Sequence, residues 1–96
     1  MPDLRTLADF DRTLDAARAE LARMAAAEPD DGAIASVRAQ LEAVHAWTRG
    51  GRCPAQGEKD TLNFGMIASR ALDTYDVADD LYRLASFITW WGPGRY

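Results

Sequence analysis

The first 28 residues leave the chain little conformational choice. Their apolar positions are Leu4, Leu7, Phe10, Leu14, Ala17, Leu21 and Met24. Successive steps of three and four residues match the helical repeat. No Gly or Pro interrupts the stretch from Asp3 to Glu28. Pro29 then disfavours helical geometry in the residue before it. The spacing predicts a helix over about 3–28, with Asp3 as its N-cap.

The same logic predicts a second helix over about 31–49. Asp30 or Asp31 would cap it, its apolar line being Ile34, Val37, Leu41, Val44 and Trp47 or Thr48. Arg38 and Glu42 are four apart and can pair on the outer face. Gly50-Gly51 supplies the left-handed geometry of a helix end. The run Gly-Gly-Arg-Cys-Pro-Ala-Gln-Gly, residues 50–57, reads as a loop.

A third helix is expected over about 58–73. Leu62, Phe64, Met66, Ile67, Ala68, Ala71 and Leu72 cover a wide arc, which suggests burial on more than one side. Gly65 in its middle suggests the close approach of a neighbour. A fourth helix, about 76–91, would start at Asp76 with Asp79 and Asp80 favouring its dipole. Its stripe is Val77, Leu81, Leu84, Ile88 and Trp91, with Asp79 and Arg83 spaced to pair. Gly92-Pro93-Gly94 ends it. Four helices on short connections predict an all-α, single-domain antiparallel bundle.

Composition removes several function classes. The chain has 96 residues, 15 acidic and 11 basic, for a formal net charge of -4. An acidic chain is poorly suited to nucleic acid or an anionic membrane. No apolar run approaches the ~20 residues of a membrane span. The start, Met1-Pro2-Asp3-Leu4-Arg5, lacks the pattern of a secretory signal, so a cytoplasmic protein is expected.

No catalytic set or cofactor motif emerges. The lone His45 lacks the converging ligands of a metal site. Cys53 beside Arg52 could gain thiolate character, and a Cys53–His45 pair is conceivable, but no third orienting group is apparent. Gly50-Gly51-Arg52 follows a helix and lacks the Lys-Ser/Thr pair of a phosphate loop.

Carboxylates cluster at two turns: Glu28, Asp30 and Asp31, then Asp73, Asp76, Asp79 and Asp80. Either cluster could cap helices or meet a basic partner. Trp47, Trp90 and Trp91 lie at helix ends. Adjacent residues point about 100° apart on a helix, so Trp91 continues the core stripe and Trp90 falls off it. Tyr75 precedes the cap at Asp76, and Tyr82 sits beside Leu81. Exposed Trp and Tyr beside acids suit a protein interface.

The second half also carries an ordered set of motifs. Gln40-Leu41-Glu42-Ala43-Val44 closes one helix. A Gly-bearing loop follows, then Leu62-Asn63-Phe64-Gly65-Met66-Ile67-Ala68-Ser69-Arg70, an acidic turn, and Asp80-Leu81 with Leu84. This order resembles the small helical immunity proteins of bacterial type VI secretion. It is most similar to the family that neutralises a secreted NAD(P)+ glycohydrolase, although Ala71 stands where that family often has an acid. The resemblance implies a non-enzyme without a cofactor that binds the catalytic domain of a cognate toxin and covers its active site. The residues expected at the contact are Asp73, Tyr75, Asp76, Asp79 and Asp80, with Trp47 and Trp90. The alternative is a homo-oligomeric helical adaptor in which Trp90, Trp91 and Tyr96 bury in a homodimer. A secretion chaperone would instead expose an apolar groove.

Overall fold

A computed structural model describes residues 4–92. Within them the chain is all-α, as the periodicity predicts. The helices are α1 (Leu7–Ala27), α2 (Gly32–Trp47), α3 (Gln56–Lys59), α4 (Phe64–Ala71) and α5 (Val77–Trp90), with a 3-10 turn at Arg49–Gly51. The expected cap Asp3, the Pro93-Gly94 stop and Tyr96 lie outside the described residues.

Helix α1 starts four residues later than expected. Thr6 caps it, its hydroxyl oxygen accepting from the Asp9 N–H at 3.1 Å. The Asp9 carboxylate accepts in turn from the Arg5 N–H at 3.4 Å. These bonds satisfy donors that a helix start leaves open. Asp31 caps α2, accepting from the Ile34 N–H at 3.1 Å. At the other end of α2, the Thr48 hydroxyl donates to the Val44 carbonyl at 2.8 Å. Gly50 and Gly51 then turn the chain with φ of 73° and 83°, a region that a side chain disfavours.

The third helix departs from expectation. The stretch over 58–73 is broken into α3 and α4 by Asp60-Thr61-Leu62-Asn63. A continuous helix would send the Asn63 N–H to the Lys59 carbonyl. Instead that N–H donates to Gln40 Oε1 on α2 at 2.8 Å. Gln40 Nε2 donates back to Asn63 Oδ1 at 2.7 Å. A side chain from another helix thus captures the donor and sets where α4 begins. Helix α4 is also buried on one side only. Phe64, Ala68 and Leu72 are buried at steps of four, whereas Met66 and Ala71 are exposed. Gly65 allows the close approach expected of it, since a Cβ there would stand 3.1 Å from Ala85 Cβ on α5.

Each of the four longer helices packs on two others: α1 on α2 and α5, and α4 on α2 and α5. Phe10 near the start of α1 stacks on Phe87 near the end of α5, with ring centroids 4.8 Å apart. Trp91 closes the triad edge-on, 5.4 Å from Phe10 and 5.3 Å from Phe87. α5 therefore runs antiparallel to α1, and the α1–α2 and α4–α5 turns share one end of the bundle. The core joins the two hairpins through Phe10, Leu14, Leu21, Ile34, Leu41, Phe64, Leu81 and Leu84, all 2% exposed or less.

Candidate partner-binding surface

The two hairpins use their charges differently. On α1 and α2 the acids other than Asp11 are tied to bases or backbone. Arg12 pairs with Asp9 at 2.5 Å, and Arg23 pairs with Glu20. Arg18 makes a two-pronged bond to Glu42, Nε to Oε2 at 2.9 Å and Nη2 to Oε1 at 2.8 Å. This replaces the expected Arg38–Glu42 pair, because a guanidinium from the facing helix offers two parallel donors. The Arg18 hydrogen bond holds the Glu42 carboxyl below its ordinary value.

At the α4–α5 turn the acids are spent differently. Asp73, Asp76 and Asp79 are exposed and make no ion pair among the described residues. Asp76 precedes α5 but is not a side-chain cap. Its backbone is already helical, with φ -58° and ψ -33°, and its carboxylate takes no capping bond. A capping residue needs extended geometry to turn its oxygen back on the next N–H groups, so the expected cap at Asp76 is corrected. The expected Asp79–Arg83 pair is corrected too: Arg83 pairs with Asp80, one helical turn away. That leaves the Asp79 carboxylate outward and Asp80 partly neutralised.

The aromatics follow the same division. Met66, Tyr75, Tyr82 and Trp90 are the exposed large apolar side chains among the described residues, and all belong to the α4–α5 hairpin. Tyr75 lies in the turn itself, between Asp73 and Asp76. Trp90 is 65% exposed, while Trp91 is 2% exposed. The 100° step between neighbours thus separates a core tryptophan from a surface one. Trp91 is occupied by its own core, which corrects its expected place in a dimer interface.

The remaining tryptophan, Trp47, is half-buried against the core, and its carbonyl accepts from Arg52 at 3.0 Å. Asp73, Tyr75, Asp76, Asp79 and Asp80 come together at one end of the bundle. Trp90 lies 14 residues beyond Asp76, about 21 Å along the axis. Trp47 ends α2, also away from the turn. The seven residues therefore do not form one patch. Sequence reasoning did not foresee that Glu28 and Asp30, exposed in the α1–α2 turn, stand at the same end as the acidic α4–α5 turn. Helix count and loop length carried that signal, since an up-down-up-down bundle places alternate turns together.

Of the other chemical candidates, Cys53 and Arg52 have structural partners. Cys53 Sγ lies 3.5 Å from both the Trp91 and Pro54 carbonyl oxygens. Lys59 donates to the same Trp91 carbonyl. These groups close the end of α5. Among the described residues no three His, Cys, Asp or Glu side chains are grouped to hold a metal. No described helix is long and apolar enough to cross a membrane.

No curated protein and no solved structure matches the chain. The family model of Tsi6 does match, over residues 7–89, from the first residue of α1 to within one residue of the end of α5.

Proposed function

Because the chain belongs to the Tsi6 family of type VI secretion immunity proteins, we propose that it binds the catalytic domain of a cognate secreted toxin and covers its active-site cleft. The toxin we propose is an NAD(P)+ glycohydrolase, or another enzyme that uses a nucleotide. The encounter takes place in the cytoplasm, where such a toxin meets its substrate. The protein acts as an inhibitor rather than an enzyme.

One observation carries the reading. Asp73, Asp76 and Asp79 are exposed beside Tyr75, without an ion pair among the described residues and without a capping role. Their charge is free for a partner. A cleft that binds phosphates is basic, and an opposed acidic edge speeds encounter with it. Tyr75 supplies a large ring with few rotatable bonds at the same edge. Asp80 contributes less free charge because Arg83 holds it. Trp47 and Trp90 lie outside this edge.

A growth rescue tests the proposal. The product of the adjacent gene is expressed in a sensitive bacterium, with and without this protein. The expected result is restored growth together with restored cellular NAD+. Rescue without any change in NAD+ would keep inhibition and reject the glycohydrolase. Failure to rescue would reject the inhibitor.

A further inference from the structure

We propose that the outer face of α5 is a self-association surface on which two copies meet across a two-fold axis at Ser86. The proposal is independent of the toxin reading, and its test needs no toxin.

Beyond Asp79 the exposed residues of α5 are Tyr82, Ser86, Thr89 and Trp90. None is charged, in a chain of which 27% is charged. Met66 on α4 adjoins this stripe, since it lines the same shallow recess as Thr89. Tyr82, Met66 and Trp90 are 38%, 49% and 65% exposed.

The register is self-complementary. Tyr82 and Trp90 stand four residues to either side of Ser86, about 6 Å along the axis. An antiparallel copy rotated about Ser86 sets Trp90 against the partner's Tyr82, and Tyr82 against the partner's Trp90. A two-fold interface requires this reciprocity. Ser86 at the axis is small, so the two backbones can approach closely. Aromatic pairs then close each side in edge-on or offset contact.

Charge selects the occupant. Two copies of net charge -4 repel each other wherever acids oppose acids. The α5 stripe itself carries none, and where the recess it shares with Met66 reaches α3, Asp60 is accompanied by Lys59. Asp79 lies seven residues from the axis, past the end of the partner helix at Trp90. A basic cleft finds no complement on the stripe, whereas a second copy does. The acidic α4–α5 turn stays open in the pair.

Area sets the strength. The exposed parts of Trp90, Tyr82 and Met66 amount to roughly 300 Å² per copy, on the usual scale of large side chains. Two copies bury roughly 600 Å², below the ~1,200 Å² of stable complexes. The dimer is therefore concentration-dependent and dissociates on dilution.

Sedimentation equilibrium of the purified full chain tests this. The expected mass is the monomer's 10.6 kDa in dilute solution, rising toward twice that at high concentration. The useful range runs from about 5 μM to about 1 mM, which brackets a weak dimer. Trp90→Glu is expected to hold the monomer mass throughout, whereas Asp76→Lys follows the native curve. The register is tested separately by Ser86→Cys in a Cys53→Ala background, which is expected to form a disulfide dimer on mild oxidation. Asp79→Cys in the same background is not. A native chain that stays monomeric at the highest concentration overturns the proposal. So does a folded Trp90→Glu that associates like the native chain, or a cross-link at Asp79→Cys but not at Ser86→Cys.

Discussion

Among the described residues the α1–α2 hairpin ties most of its acids within itself, leaving Asp11, Glu28 and Asp30 without a partner, whereas the α4–α5 turn ties only Asp80. On the first, Arg18 grips Glu42 across the helix interface, Arg12 and Arg23 pair within α1, and Asp31 caps α2. None of its large apolar side chains is prominently exposed. On the second, three carboxylates stand unpaired among the described residues, and all four exposed large apolar side chains are found there. A group already bonded within the fold must break that bond to reach a partner. The proposed function rests on that difference, since the α4–α5 turn offers groups that a partner can take up without breaking bonds of the fold.

The largest expected effect comes from severing the two hairpins. Phe10 is fully buried and stacks on Phe87 beside Trp91. Phe10→Ala is expected to cost about 3–5 kcal/mol, through lost burial and the cavity left behind. Chemical denaturation followed by circular dichroism measures it. A loss under ~1 kcal/mol would mean that the ring triad does not hold the hairpins together.

A smaller effect distinguishes the two acidic turns. Asp76→Lys with Asp79→Lys is expected to slow association with the toxin about 10- to 100-fold, with stability unchanged within ~0.5 kcal/mol. Asp31→Ala is expected to do the reverse. It should cost about 1 kcal/mol of stability through loss of the cap and leave association nearly unaltered. Stopped-flow binding beside denaturant melts separates the cases. Equal behaviour of the two turns would erase the contrast.

Gln40→Ala sharpens the comparison where the hairpins meet. It removes both bonds to Asn63 and is expected to cost about 1–2 kcal/mol. Hydrogen exchange at the Asn63 amide is expected to accelerate in the variant, while amides in the middle of α1 keep their protection.

The smallest effect is a pH dependence. Glu42 titrates below its ordinary value in the folded chain because Arg18 hydrogen-bonds its charged form. The stabilisation is present above the ordinary glutamate range and is lost as pH falls through the lowered value. The pair is well exposed, so it contributes ~0.5 kcal/mol at neutral pH. The gap in stability between native protein and Arg18→Met is expected to close as the pH falls below the ordinary glutamate range. A gap that stays constant as the carboxylates become protonated would show that the pair's charge contributes nothing.

Much of the fold is legible because apolar spacing and stop residues are local signals. The α1 and α5 stripes follow directly from steps of three and four, and Trp91 was separable from Trp90 by helical rotation alone. What was hidden depends on residues distant in sequence. The break before α4 is set by Gln40, 23 positions from Asn63. Glu42 bonds a residue 24 positions away rather than its neighbour Arg38. The buried Phe87 lies beside the expected stripe rather than on it, and it packs on Phe10, 77 positions away in sequence, as well as on Trp91. The candidate site was half-legible for the same reason. Acids at a helix start look alike in sequence, whether they cap or not. Backbone geometry distinguishes them: Asp31 is extended and caps, while Asp76 is helical and does not.

The most direct test of this division of labour is inhibition of the purified toxin domain in a turnover assay. Native protein, Asp31→Ala and the Asp76→Lys/Asp79→Lys double variant are titrated against it, each first shown to be folded. The account predicts that native protein and Asp31→Ala silence the toxin near equimolar ratio. The double variant should require a large excess. Equal potency of the double variant and native protein would contradict the account and move recognition away from the α4–α5 turn.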